Sequence, residues 1–217
     1  GIDTSTHCGA MHEIGKTIAV LGGGFKYIYP SQNIWLYNNI IDVGGCVITE
    51  YEENEETKIS KEDFYLPDLL HEVETIAQMM ADKECITIHF MDDPYSIPYP
   101  NLTGSSLRVK QIFLNLITNS IKYNRKNGSV DCFLKEEKQS DNRVLVDVTI
   151  KDTGIGMSED FLKNIFQPFV QADQGARSHY KGTGLGMAIV KELLDRMDGT
   201  IQIDSVENQG TTIHVVI

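Results

Sequence analysis

The sequence predicts an α/β protein in two parts, and three observations carry that reading. Val144, Val146, Val148 and Ile150 alternate as in a strand with one buried face, and the run ends in Asp152-Thr153-Gly154-Ile155-Gly156-Met157. Leu114, Ile117 and Ile121 repeat at helical spacing within 111–123, and a Gly-rich turn, Lys181-Gly182-Thr183-Gly184-Leu185-Gly186-Met187, runs straight into another helical pattern. Residues 1–50 read strand–helix–strand with Gly-rich loops, which argues a right-handed parallel βαβ unit.

In chain order, 5–14 can form a helix, 17–21 reads as a short buried-type strand and Gly22-Gly23-Gly24 as the loop after it. A helix is predicted over 31–41, with Pro30 before it and Ser31 as N-cap; Gly44-Gly45 ends it, and 46–49 is the second strand. The stretch Gly1-Ile2-Asp3-Thr4, His7, Thr17-Ile18-Ala19-Val20-Leu21-Gly22, Gly24, Tyr29-Pro30, Asn33 and Gly44-Gly45 resembles the second half of the Rossmann-like domain of the DNA-processing protein DprA (Smf). That resemblance implies a binder of single-stranded DNA. The charge speaks against it: residues 1–57 hold Lys16 and Lys26 against Asp3, Glu13, Asp42, Glu50, Glu52, Glu53, Glu55 and Glu56, the reverse of what a phosphate backbone attracts. No DNA binding is expected, and the role read for this part is structural. So short a sheet leaves both edges open, so docking on the rest of the chain or a homo-oligomer through this segment is expected.

Residues 51–60, YEENEETKIS, form an acidic linker and the boundary to a second domain over 61–217. Residues 60–63 lead into a helix over 66–82 with Leu69, Val73, Ile76 and Met80 on one face; His71 in it reads as a surface histidine. A strand over 86–91 turns His89 outward, 94–100 is a turn-rich link, and 102–110 leads into the helix at 111–123. Strands at 130–135 and 143–151 follow, joined by a charged tip. A helix is expected over 161–169, then a polar, Gly-containing lid over 172–181 and a helix over 188–197 with Gly199 as its C-cap. Residues 200–205 and 211–217 make a closing hairpin.

Three of these stretches carry chemistry. A strand ending in Asp-x-Gly-x-Gly sets a carboxylate beside bare backbone, which suits a planar ligand with an amino group; an Asp-Gly hairpin turn is the plainer alternative. Gln111, Asn115, Asn119 and Lys122 share one helical stripe. Solvated faces favour Glu and Lys, whereas two Asn one turn apart offer amide oxygens to a hard cation such as Mg²⁺, and Lys122 an ammonium to phosphate. A Gly-rich turn opening a helix offers backbone N–H groups and the positive helix end to phosphate; a flexible loop is the alternative.

In this order and spacing, 58–217 resembles the ATP-binding catalytic domain of the sensor histidine kinases. Asn115-Leu116, Asn119-Ser120 and Lys122-Tyr123 match the family's N box, Asp152, Gly154, Gly156 and Met157 its G1 box, Ile165-Phe166, Pro168-Phe169 and Gln171 its F box, and Gly182-Thr183-Gly184-Leu185-Gly186 its G2 box. Gly210-Thr211-Thr212 resembles its final Gly-Thr element. The resemblance implies a two-layer α/β sandwich (the Bergerat fold), a mixed sheet with helices on one face. It implies that Asp152 accepts from the adenine amino group, with Thr212 near a bridging water, that Gly154 and Gly156 shape the pocket, and that Phe166 and Phe169 anchor the lid. Asn119 would hold Mg²⁺ with Asn115 assisting, Lys122 would contact phosphate and Tyr123 line the site. The N–H groups of Gly184, Leu185 and Gly186 would cradle the phosphates, and Arg177 or Lys181 would reach the γ-phosphate.

The implied activity is phosphoryl transfer from ATP to histidine, with a phosphoacceptor domain and a response regulator as partners. None of the six histidines, His7, His12, His71, His89, His179 and His214, sits in a dimerising helical hairpin ahead of this domain. Mg-ATP binding without autophosphorylation is therefore expected. Two alternatives are an ATPase of the wider MutL and gyrase type, which places a Glu base where Asn115 stands, and a non-enzymatic scaffold carrying the DprA-like piece. The chain has 217 residues, room for one large or two small domains, and a net charge of −12 that argues against a general nucleic-acid or anionic-membrane binder. Cys8, Cys46, Cys85 and Cys132 are scattered, which favours reduced thiols and a cytoplasmic setting; no run is long enough to span a bilayer. The chain opens on Gly rather than Met, and a fragment or a fusion of two pieces is expected.

Overall fold

The computed structural model describes residues 7–11, 16–21, 33–49, 61–90, 97–139, 143–168, 170 and 184–217. The chain divides into two units, Gly1–Ile59 and Ser60–Ile217. The acidic linker read at 51–60 lies outside the described residues.

In the first unit, β1 (Ile18–Leu21) and β2 (Cys46–Thr49) pair in parallel from Ile18↔Cys46 to Leu21↔Thr49, joined through α1 (Ile34–Asp42). This is the expected βαβ order. The helix begins later than its pattern suggested: Asn33 occupies the N-cap position without a side-chain cap bond, and Ser31 lies outside the described residues. Leu36 and Ile40 are buried, whereas Ile18, Val20 and Ile48 are exposed.

The second unit forms the expected two-layer α/β sandwich. Its five-stranded sheet has the order β4 (Thr87–Phe90), β6 (Ser129–Lys138), β7 (Val144–Asp152), β9 (Gly210–Val216), β8 (Thr200–Val206). Only β4–β6 is parallel. Val130, Val148, Ile150, Ile213 and Val215 are buried on one sheet face. The helices α2 (Leu66–Glu84) and α3 (Ser106–Lys122) and a C-terminal helix, α5 (Gly186–Arg196), supply Val73, Ile112, Leu116, Val190 and Leu194 to the same core. Burying apolar side chains of this size at about 1.5–3 kcal/mol each is what holds the layers together. The polar stripe of α3 is thereby turned away from the core, because Ile117 and Ile121 are committed to it.

Several expectations are corrected. Residues 62–65 and 101–104 do not merely lead into helices: they form β3 (Glu62–Tyr65) and β5 (Asn101–Gly104), an antiparallel pair with Phe64 opposite Leu102. The pairing is between stretches distant in sequence, so local periodicity does not register it. The helix expected over 161–169 is a single turn, α4 (Glu159–Leu162), capped by Ser158 Oγ, which accepts from the Phe161 N–H at 3.3 Å. Pro168 cannot continue a helix, and turns occupy 163–168 instead; Phe169 is outside the described residues. At the end of α5, Asp198 takes the left-handed conformation (φ 56°), while the Gly199 N–H closes the cap on Leu194 O at 2.8 Å. His89 does face outward, its Nδ1 2.7 Å from Asp131 Oδ1, and His71 is on the surface.

A cavity of about 260 Å³ lies between α2, α3 and the sheet, lined by Val73, Phe113, Ile117, Cys132 and Val148 among others and by none of the described motif residues. Burial, with Asp131 and Glu74 adding to it, pushes the Cys132 thiol up to about 12. With so little thiolate at neutral pH, Cys132 should stay unmodified when the folded protein meets iodoacetamide, while exposed Cys46 and Cys85 react. Peptide mass mapping checks this; label on Cys132 at the rate of Cys85 would contradict it.

Candidate functional site

The site is assembled at one end of the sheet, where β7 stops. Asp152 is the last residue of that strand and is only 8% exposed. Its Oδ1 accepts twice from backbone, from the Gly154 N–H at 2.8 Å and the Thr211 N–H at 3.1 Å. Among the described residues no bond to Oδ2 is formed at hydrogen-bond geometry, so one oxygen fixes the carboxylate. Burial drives the Asp152 pKa up, and this outweighs the lowering by the Gly154 N–H, the Ser120 hydroxyl and the Thr211 N–H. Ser120 Oγ meets no partner at hydrogen-bond geometry, so it acts as a nearby dipole rather than a bond.

The loop after Asp152 has no room for side chains at two points. A Cβ on Gly154 would sit 2.6 Å from Tyr123 O and 2.8 Å from Asp152 Oδ1. Gly156 is left-handed (φ +63°), and a Cβ there would be 2.0 Å from Val206 O. The Ile155 N–H donates to Tyr123 O at 3.0 Å, and the Met157 N–H to Ser205 Oγ at 2.9 Å. The loop is thus tied to the end of α3 on one side and to the β8–β9 hairpin on the other.

Along α3, Gln111, Asn115, Asn119 and Lys122 are half-buried in one stripe. The first residue of α5 abuts this stripe: a Cβ on Gly186 would lie 3.5 Å from Asn115 Oδ1 and 3.8 Å from Asn119 Nδ2. Gly184 is left-handed (φ +69°), and Leu185 is buried, which pins the turn that opens α5. The Lys122 ammonium stands 4.8 Å from the centroid of the partly exposed Tyr123 ring.

Three stretches more than sixty residues apart from first to last are therefore brought together through α3, which meets the start of α5 at Asn115, Asn119 and Gly186 and the loop after Asp152 at Tyr123 and Gly154. Arg177, Lys181, Gly182 and Thr183 lie outside the described residues. Thr212 is displaced from its expected place: it pairs with Lys151 on the opposite sheet face, whereas Thr211 pairs with Asp152 and its Oγ1 lies 2.9 Å from Ser205 Oγ. A strand alternates with period two, so a shift of one residue moves a side chain to the other face. The alternation of Ile213 and Val215 was the available signal for Thr211. Asn124 was also missed; its Nδ2 donates to Ser120 O at 3.1 Å and Ser129 O at 3.0 Å, closing the end of α3 against β6.

A family model described as histidine kinase-, DNA gyrase B- and HSP90-like ATPase matches residues 104–217, just over half of the chain and all three stretches of the site. The chain belongs to this ATPase family. Among curated members of the histidine kinase-like ATPases, it is 38% identical over 151 residues to the sensor histidine kinase GacS of Pseudomonas protegens, covering 68% of this chain and 16% of that protein. It is 35% identical over 179 residues to the signal transduction histidine-protein kinase BarA of Escherichia coli K12, covering 81% and 19%. The chain thus spans about a fifth or less of the length of these relatives. Full-length ShkA, solved in complex with AMPPNP, superposes with a TM-score of 0.60 at 27% identity over 73% of this chain and 31% of that one. The mycobacterial sensor histidine kinase MprB shares the fold, with a TM-score of 0.56 at 21% identity over 73% of this chain and 97% of that one. Residues 1–66 match a different family model, described as DNA recombination-mediator protein A.

Proposed function

We propose that 61–217 is the Mg-ATP-binding catalytic domain of a sensor histidine kinase, which passes the γ-phosphoryl group of ATP to a histidine outside this chain. The observation that carries the reading is a buried carboxylate, Asp152, anchored by backbone through Oδ1, together with the start of α5 set against Asn115 and Asn119. Asp152 Oδ2 accepts from the adenine amino group, and the missing side chain at Gly154 lets the loop close onto Tyr123 O and Asp152 Oδ1, which holds the carboxylate for that contact. The N–H groups of Gly184, Leu185 and Gly186 and the positive end of α5 take the phosphates, with Lys122 adding charge.

The donor set fits Mg²⁺: Asn119 and Asn115 carry neutral, hard amide oxygens on adjacent helical turns, and these would hold the ion alongside the phosphates. When bound, Mg²⁺ supplies charge neutralisation on the phosphates. The protein's own part is positioning. Asn115 cannot take a proton from water, which favours transfer to an acceptor over hydrolysis. Response regulators are the onward partners of this reading, a cytoplasmic location its setting, and the first unit an appendage without a DNA-binding role. Among the described residues no helix is long and apolar enough to cross a membrane.

The test is Mg-dependent ATP binding by calorimetry, followed by incubation with γ-labelled ATP and a purified helical-hairpin domain bearing a phosphoacceptor histidine. Label on the hairpin and none on this chain is expected. Failure to bind Mg-ATP would refute the reading. Rapid release of phosphate without an acceptor would replace transfer with hydrolysis.

A further inference from the structure

Arg125 stands two residues beyond Tyr123, the C-cap of α3, and belongs to none of the motifs. Its guanidinium reaches into the gap between two loops. Nε donates to Gly154 O at 3.2 Å, inside the loop that follows Asp152. Nη2 donates to Asn208 O, in the turn between β8 and β9. The same turn holds the loop from its other side, because the Asn208 N–H donates to Ile155 O at 2.6 Å. Asn208 is itself left-handed (φ 60°), so the turn presents its carbonyl and its N–H to the loop together.

We propose that Arg125 is a positioning residue for base recognition, clamping the Asp152–Gly156 loop to the closing hairpin so that Asp152 Oδ2 meets the exocyclic amino group of a purine. The proposal rests on the nucleotide-binding reading above and deepens it from a site to its base specificity. A planar guanidinium has five donors in a fixed fork, so one side chain serves two carbonyls at once; an ammonium is a point donor and serves them poorly. The two carbonyls belong to segments that also flank Asp152. Gly154 gives Asp152 Oδ1 its N–H, and Thr211, three residues past Asn208, gives the other. Loss of the clamp therefore leaves the two segments joined by the Asn208 N–H to Ile155 O and Met157 N–H to Ser205 Oγ bonds, and loosens the Gly154 anchor relative to Thr211. The phosphate end, built from α3 and α5, is untouched.

The test uses the full chain and displacement of a fluorescent ATP analogue by ATP and by ITP, which carries an oxygen where ATP carries the amino group. Wild type should prefer ATP. Arg125→Ala should weaken ATP by at least about fivefold, the scale of one disordered charge-assisted bond. ITP affinity should move less than about twofold, since the clamp acts on the amino-group contact alone. Arg125→Lys should give an intermediate ratio, and it decides the matter if the alanine variant does not fold. A role in folding alone would weaken both nucleotides together, and that result, or an unchanged ATP:ITP ratio in both variants, overturns the proposal. A wild-type chain that binds neither nucleotide instead refutes the nucleotide-binding reading itself.

Discussion

Asp152→Asn is expected to lower ATP affinity by roughly 50-fold or more while leaving the fold intact, from about 2–3 kcal/mol for a charge-assisted bond replaced by a clash of donors. The asymmetry of the carboxylate decides this. Oδ1 is held by the Gly154 and Thr211 N–H groups, and an asparagine oxygen can accept both. The amide nitrogen must then take the place of Oδ2, and a donor there faces the donating amino group of adenine.

The same substitution should stabilise the ligand-free protein. Burial raises the Asp152 pKa above the ordinary aspartate value, so the native state holds that proton more tightly than the unfolded chain does. Between the ordinary value, near ~4, and the raised one, native-state stability falls as pH rises, and above that window the loss stays constant. Asparagine has no such slope. Melting curves from acid to neutral pH should therefore separate in favour of the variant as pH rises through the window. ATP affinity within about threefold of wild type would remove Asp152 from the adenine contact.

Gly156→Ala carries the second large effect, on stability. The left-handed backbone alone disfavours a Cβ by about 1–2 kcal/mol. Contact at 2.0 Å with Val206 O adds a displacement of the β8–β9 hairpin, for which no flexible side chain can yield. A total above about 3 kcal/mol is expected, a fall of roughly 6–12 °C in melting temperature for a unit of this size, with ATP binding lost alongside. Gly104→Ala is the matched control, because its Cβ would meet only Phe64 Cε1 at an ordinary 3.5 Å. Equal effects at the two positions would show that the constraint at Gly156 is not local.

The motifs around Asp152, Asn119 and Gly184 were legible because each is a local statement: a strand end, a helical stripe, a turn into a helix. What was not legible depends on pairing at a distance or on a single residue of phase. β3 and β5 have no periodicity of their own and exist because Phe64 and Leu102 find each other. Thr211 and Thr212 are chemically the same, and only the register with Asp152 separates them. The helix expected over 161–169 shrinks to one turn, Glu159–Leu162, with Pro168 unable to continue it. Arg125 has no sequence signal at all, since both its acceptors are backbone carbonyls that any sequence would supply.

The strand order has a kinetic consequence. β6–β7 and β8–β9 are hairpins between sequence neighbours, whereas β7–β9 joins strands separated by the whole F-box and lid region. Local pairs close quickly; the seam between them must wait for a long loop to close, and loop closure slows with contact distance. Asp152↔Thr211 is the final rung of that seam. Asp152 acquires its second backbone anchor, the Thr211 N–H, only when the two halves of the sheet have merged, so on the proposed reading nucleotide binding must await synthesis and docking of the last hairpin.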